Sequence, residues 1–234
     1  MSSELSYSQL HRDFTNTPWG ETLSQSTRFD SFRMQSAISP QEWWTLLGAD
    51  VNTLRHLKLS TGLTRWFCDQ DSSYTPEEKY QLTLAATIHD WAESIFGDIE
   101  APVKTGTHDE IEKRELHNII DAFCDEHPAY SPFQSDMHLV TDTIIFTKDT
   151  KLGKAFHAIE LMGYCRTAIR AWSRIPDAQE PVNTALRTLS TEIIARSYGK
   201  LEAMATEYPS VRIFVDEPNH QQIVAEIRSN STSL

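Results

Sequence analysis

The chain has 234 residues, enough for one sizeable core, and 21 Lys plus Arg stand against 33 Asp plus Glu for a formal net charge of -12. That acidity argues against duplex nucleic acid or an anionic membrane as a partner, and no apolar run approaches bilayer length. The three cysteines, Cys68, Cys124 and Cys165, are odd in number and widely spaced, which suggests buried free thiols rather than a disulfide framework or zinc knuckle.

Residues 1–28 are polar with scattered aromatics and are expected to form a loosely structured arm that docks in places. They lack the apolar h-region of a signal peptide, so a soluble, cytoplasmic protein is expected. The helical core is assigned to residues 29–208. Its first clear start is Ser39-Pro40-Gln41-Glu42, an N-cap followed by a Pro at the first helical position and an acid in the first turn, with Gly48 as the stop. Asp50 is the candidate cap of the next helix, in which Val51, Leu54, Leu57, Leu63 and Trp66 recur at helical spacing and His56 lies inside. Thr75-Pro76-Glu77-Glu78 starts another helix, apolar through Leu82, Leu84, Ala85, Ala86 and Ile88 and closed by Gly97.

Beyond the Ala101-Pro102 break, His108 to Asp125 reads as a surface helix with Ile111, Leu116, Ile119, Ile120 and Phe123 as its inner stripe. A segment from near Ser135 leads into a long helical pattern to Trp172, kinked near Thr147 to Thr150. A last long helix runs from about Pro181 to Tyr208, and residues 209–234 form an appended tail or short helix, with short extended pieces conceivable near Arg212 to Asp216. No alternating run of strand length persists. The expected class is therefore all-α, a bundle of six to eight helices.

Chemistry concentrates at Ile88-His89-Asp90-Trp91-Ala92-Glu93-Ser94-Ile95-Phe96-Gly97-Asp98. His89 and Glu93 are four residues apart on one helical face, with Asp90 beside the histidine. An imidazole and a carboxylate at adjacent positions can share one divalent ion where a helix ends and its backbone turns both inward, and such mixed N/O sets suit Mn, Co, Fe or Zn.

Continued through Ile99-Glu100-Ala101-Pro102-Val103-Lys104, this stretch resembles the signature of HD-domain 5'-deoxynucleotidases, H-D-x-x-E-x-x-x-G-D followed closely by P-V-K. The resemblance reaches upstream to the His56 helix and, more weakly, downstream to Lys148–Glu160. It implies an HD-domain helical bundle, a divalent metal cofactor (Mn, Co, Fe, Zn or Mg) and a homodimer. It also implies metal ligation by His56, His89, Asp90 and a later acid near Asp149, with Glu93 and Asp98 as catalytic carboxylates. The alignment puts Thr150 where that later acid belongs, leaving Asp149, one residue early, and Asp142 as candidates. Arg33 is the candidate phosphate contact, because Arg forks onto phosphate and the family uses an Arg ahead of its first His. Lys104 is read as ending a loop, and the tryptophans Trp43, Trp44 and Trp91 as core residues rather than base-stacking ones. His108, His117, His127, His138 and His157 show no ligand spacing with one another and are read as ordinary helix or loop residues.

The activity implied is metal-dependent hydrolysis of a nucleotide phosphomonoester, a small-molecule substrate such as a (deoxy)nucleoside 5'-monophosphate. A triphosphohydrolase of the same superfamily is one alternative. A degenerate HD protein that binds a nucleotide or partner without turnover is the other.

Overall fold

The structure, a computed structural model, describes residues 5–98, 106–177 and 179–231. The chain is all-α, and among the described residues the only extended pairing is an isolated antiparallel bridge between Thr27 and Asn52. In chain order the helices are α1 (Tyr7–Thr15), α2 (Pro18–Gln25), α3 (Asp30–Gln35), α4 (Pro40–Leu47), α5 (Thr53–Asp69), α6 (Pro76–Ile88), α7 (Glu93–Phe96), α8 (Gly106–Glu126), α9 (Gln134–Val140), α10 (Lys151–Arg174), α11 (Val182–Met204), α12 (Pro209–Val215) and α13 (Pro218–Ser231). The segments are shorter and more numerous than the expected six to eight, because caps and turns divide stretches that read as continuous.

Residues 5–28 are not a loose arm. They form α1 and α2, each with a side-chain N-cap, from Ser6 and Thr17, and they bury Leu10, Phe14 and Leu23 in the common core. Phe14 stacks on Trp91 with ring centroids 3.9 Å apart, and Phe123 meets Trp91 edge-on at 5.2 Å. Trp91 is thus a core residue. The two helices meet so closely at Gly20 that a Cβ there would lie 2.1 Å from the Phe14 carbonyl oxygen.

The helix starts legible in the sequence form as expected. The Ser39 hydroxyl accepts from the Glu42 N–H, and Gly48 ends α4 with φ 71°. The cap of α5 differs: it is Asn52, two residues after the expected Asp50, and its Oδ1 accepts from the Arg55 N–H at 3.1 Å. Thr75 and Glu78 make a reciprocal capping box on α6, and Lys151 at the start of α10 donates to Glu78 at 2.6 Å. Helix α5 lies along α6, joined by a Thr61–Thr87 hydroxyl contact of 3.1 Å. The long α10 packs against α4, α5, α6, α11 and α13, so that it backs the α5–α6 pair directly.

The kink expected near Thr147–Thr150 is present. A π-helical turn at Thr141–Ile145 follows α9, and Thr150 caps α10 by accepting from the Gly153 N–H. The segment containing Arg212–Asp216 is helical, and α12 and α13 bury Val211, Phe214, Ile223, Val224 and Ile227. All three cysteines are buried free thiols. No helix of the described residues is long and apolar enough to cross a membrane.

Candidate metal centre

The continuous helix that the sequence suggested from Thr75 to Gly97 breaks at the residues with the most chemistry. Helix α6 ends at Ile88, and the chain tightens through three-residue bonds, Trp91 N–H to Ile88 O and Glu93 N–H to Asp90 O, before the single turn of α7. Because His89 and Asp90 sit in this tightened turn, their side chains converge instead of diverging as neighbours on a regular helix do.

His89 Nε2 lies 3.2 Å from Asp90 Oδ1, and His56 Nε2, from α5, lies 3.7 Å from Asp90 Oδ2. The two imidazoles meet edge-on with centroids 5.5 Å apart. One ligand atom from each of His56, His89 and Asp90 falls within 4.8 Å of the others, and this buried trio could hold a metal ion. The donors fit a cation. His89 Nδ1–H donates to the Ala86 carbonyl at 3.1 Å, which directs Nε2 to Asp90, where an ion would take the place of the Nε2 proton. Asp90 Oδ2 is buried without a hydrogen bond, an arrangement that costs free energy unless a positive group compensates it. His56 Nε2 touches the Ser60 hydroxyl at 3.1 Å, a contact that a ligated ion would replace.

The electrostatics follow from burial. Burial opposes charge on Asp90, but His89, Arg28 and His56 outweigh it and hold the carboxyl well below the usual range. Burial and the Arg28 charge push His56 well below its ordinary value, so it is neutral, as a ligand must be. For His89, burial disfavours the imidazolium, yet the Asp90 carboxylate prevails and raises the pKa. Glu93 moves the other way: burial first, then the charges of Asp90 and Asp98, drive its pKa well up, and its Oε2 has no hydrogen-bond partner.

Besides Arg166, which also acts on His56, the pocket has a buried cation in Arg28, which the sequence reading passed over. Its side chain is about 5% exposed, its Nε lies 4.0 Å from Asp98 Oδ2, and its guanidinium sits 5.5 Å from the centre of the Tyr164 ring. Burial opposes its charge, and Tyr164, Asp98, Asp90 and Glu93 together more than offset that. The backbone around it is pinned from several sides. The Arg28 N–H donates to the Val51 carbonyl at 2.7 Å, Trp43 Nε1 donates to the Arg28 carbonyl, and Trp44 Nε1 donates to Thr27 Oγ1. Phe29 follows in the left-handed region at φ 59°, and its N–H donates to Asp98 Oδ2 at 3.3 Å.

Arg33, the phosphate contact suggested by sequence, is committed elsewhere. Its guanidinium forks onto the Asp30 carboxylate at 2.6 and 3.0 Å and donates to the Ile38 carbonyl, closing the end of α3. The fourth ligand is also corrected. Asp149 is exposed ahead of α10 and outside the His56–His89–Asp90 cluster, because the whole turn faces solvent, with Thr150, also exposed, capping α10 and donating to the Thr143 carbonyl. Asp142 pairs instead with Lys113 at 2.8 Å and His117 at 3.1 Å. What α10 presents to the cluster is Phe156, whose ring meets His89 edge-on at 5.5 Å, and one and two turns further on Glu160 and Tyr164. The signal for this wall was a stripe of step four on a long buried helix, visible only once its partner helix is known. Lys104 and the P-V-K stretch lie outside the described residues.

An open cavity of about 580 Å³ adjoins the cluster through Glu93, between α2 and α7, lined by Pro18, Glu21, Thr22, Gln25, Ser26 and Ile95 among others. Compared with family models, with curated proteins and with solved structures, the chain gives no match.

Proposed function

We propose that the protein is a metal-dependent phosphohydrolase acting on a nucleoside 5'-monophosphate or a close relative. The observation that carries this reading is the buried His56–His89–Asp90 trio set beside Arg28 and Glu93, five interacting polar groups in a pocket otherwise closed by core residues.

Asp90 and Asp98 flank the Arg28 guanidinium, so little of its charge is left for a phosphate entering alone. A divalent ion held by His56, His89 and Asp90 would reverse that balance, polarise the phosphoryl oxygen and lower the pKa of a bound water towards about 7. Around it, Arg28 offers charged N–H donors to phosphate oxygens, with its aromatic flank on Tyr164 holding the guanidinium plane. Glu93 stands at the cavity wall with an unpartnered oxygen, and with an ion in place to offset the charge of Asp90 it would be free to accept the proton of an attacking water. Asp98 accepts the Phe29 N–H and faces Arg28, so it acts by positioning Arg28 rather than by touching the leaving oxygen. The cavity beyond Glu93 has hydroxyl and amide groups from Thr22, Gln25 and Ser26 and a volume within the ~300–1,000 Å³ usual for small-molecule sites, which suits the sugar and base of a nucleotide.

The test is phosphate release from a panel of deoxynucleoside and ribonucleoside mono- and triphosphates with Mn, Co, Mg or chelator, comparing wild type with Asp90→Ala. Release that needs metal and is lost in the variant is expected, and the panel separates monophosphate from triphosphate substrates. No release from folded, metal-loaded protein would overturn the hydrolase reading. A second reading, nucleotide binding without turnover, is favoured by one observation: the fourth acid is missing from the cluster, where α10 supplies Phe156. Saturable nucleotide binding with no phosphate release would establish it.

A further inference from the structure

Away from this pocket, on the surface formed by α8 and the α9 segment, two histidines face each other. His117 and Asp121 stand on α8, and His138 and Asp142 stand on α9 and the π-helical turn that follows it. Each histidine pairs with the acid of the other element. His117 Nε2 lies 3.1 Å from Asp142 Oδ1, and His138 Nε2 lies 2.7 Å from Asp121 Oδ1. Asp121 also accepts from Gln134 Nε2 at 2.7 Å, and Asp142 from Lys113 Nζ at 2.8 Å. The imidazole centroids are 4.6 Å apart with planes inclined by 21°, and the two Nδ1 atoms are in hydrogen-bonding contact.

The acids fix the tautomers. Burial opposes charge on Asp121 and Asp142, but bonds from Gln134 and His138 to the first, and from Lys113 and His117 to the second, hold both carboxyls below the usual range. An ionised carboxylate only accepts, so both Nε2 atoms carry hydrogen and a neutral ring has none left for Nδ1. Two lone pairs at contact would repel. One added proton between them turns the same contact into a charge-assisted hydrogen bond. It also closes the charge balance, because Asp121 and Asp142 are then matched by Lys113 and the proton. Neighbouring charges along the two elements are engaged elsewhere, Arg114 with Glu115 and Asp136 with Tyr80.

We infer that His117 and His138 share one proton between their Nδ1 atoms and so form a pH-sensitive clasp between α8 and the α9 segment. Their side chains are 26% and 28% exposed, so the proton exchanges with solvent, and the two rings gain and lose protons as a unit. As pH rises, loss of the shared proton sets two lone pairs against each other. As pH falls, a second proton puts a hydrogen on each Nδ1, and the rings repel as two cations. The clasp is therefore closed only in the window where the pair holds one extra proton. The segment it fastens packs on α6, the helix that leads into His89 and Asp90.

The test is proton–nitrogen NMR of the full chain across pH, comparing wild type with His117→Ala and Asp121→Asn. One strongly deshielded proton coupled to both Nδ1 signals is expected in wild type, vanishing at both ends of the window and absent from His117→Ala. In Asp121→Asn the amide can donate to His138 Nε2, so His138 carries its own hydrogen on Nδ1 and bonds His117 without the extra charge. That variant is expected to keep the contact at higher pH than wild type. Hydrogen exchange supplies a second readout: protection of α8 and α9 amides in wild type should fall about 1.5- to 5-fold outside the window, the worth of a partly exposed charged contact. Two rings titrating independently, with no shared proton at any pH at which the chain stays folded, would overturn the clasp. So would α8 and α9 protection that follows the same pH profile in wild type and a folded His117→Ala variant.

Discussion

Arg28 and Glu93 are the two side chains whose burial needs a reason beyond packing. If Arg28 grips phosphate, Arg28→Lys keeps the charge but loses the fork, and the proposed turnover should fall about 10–100-fold, the worth of a charge-assisted hydrogen bond. Arg33→Ala, in contrast, should leave turnover within about twofold and cost only the closure of α3. Glu93 carries a pH signature in the metal-free protein. Burial, then Asp90 and Asp98, raise its folded pKa above the unfolded value, so between those two values the folded state holds the extra proton. Its contribution therefore favours folding at low pH and declines as pH rises. Glu93→Gln should remove that decline and raise the thermal midpoint at neutral pH, while lowering phosphate release about 10²–10⁴-fold if Glu93 is the base. Denaturation at several pH values checks the first outcome and the phosphate assay the second.

At the scale of elements, the helix starts matter because α6 delivers His89 and Asp90. Thr75→Ala removes the capping box and should cost about 1 kcal/mol, read as a lower midpoint in urea with unchanged slope. Gly153→Ala should cost more, because a Cβ there would sit 1.6 Å from the Thr147 carbonyl oxygen at the turn into α10. These caps were legible in the sequence, since Ser-Pro and Thr-Pro signals act over four residues and need no partner. The trio's His89–Asp90 turn was also legible, as an adjacent pair at a helix end. Arg28 was not, because its role comes from the bridge between Thr27 and Asn52 and from Trp43 and Trp44, contacts between segments distant in sequence. Asp149 stays outside the cluster for a local reason: the turn that Thr150 closes as the cap of α10 faces solvent, and both residues are exposed there.

Taken whole, the molecule has no dispensable arm among its described residues. Deleting residues 1–28 would remove Leu10, Phe14 and Leu23 from the core and the guanidinium from the pocket. The truncated chain should lose its cooperative thermal transition, which circular dichroism would show directly. The homodimer implied by the family resemblance is a separate expectation at this scale. Light scattering should give twice the 26.7 kDa chain mass, and a monomeric value would count against it.

The wall around Arg28 draws on both early and late parts of the chain, with Asp98 and Tyr164 contributed well after the arginine itself. During translation the guanidinium leaves the ribosome long before α10 exists to cover it. A nascent chain stalled ahead of Tyr164 has the caps of α1, α2, α4, α5 and α6 in hand but keeps Arg28 hydrated. The pocket is thus among the last things the ribosome's product acquires, and its closure reports that α10 has docked.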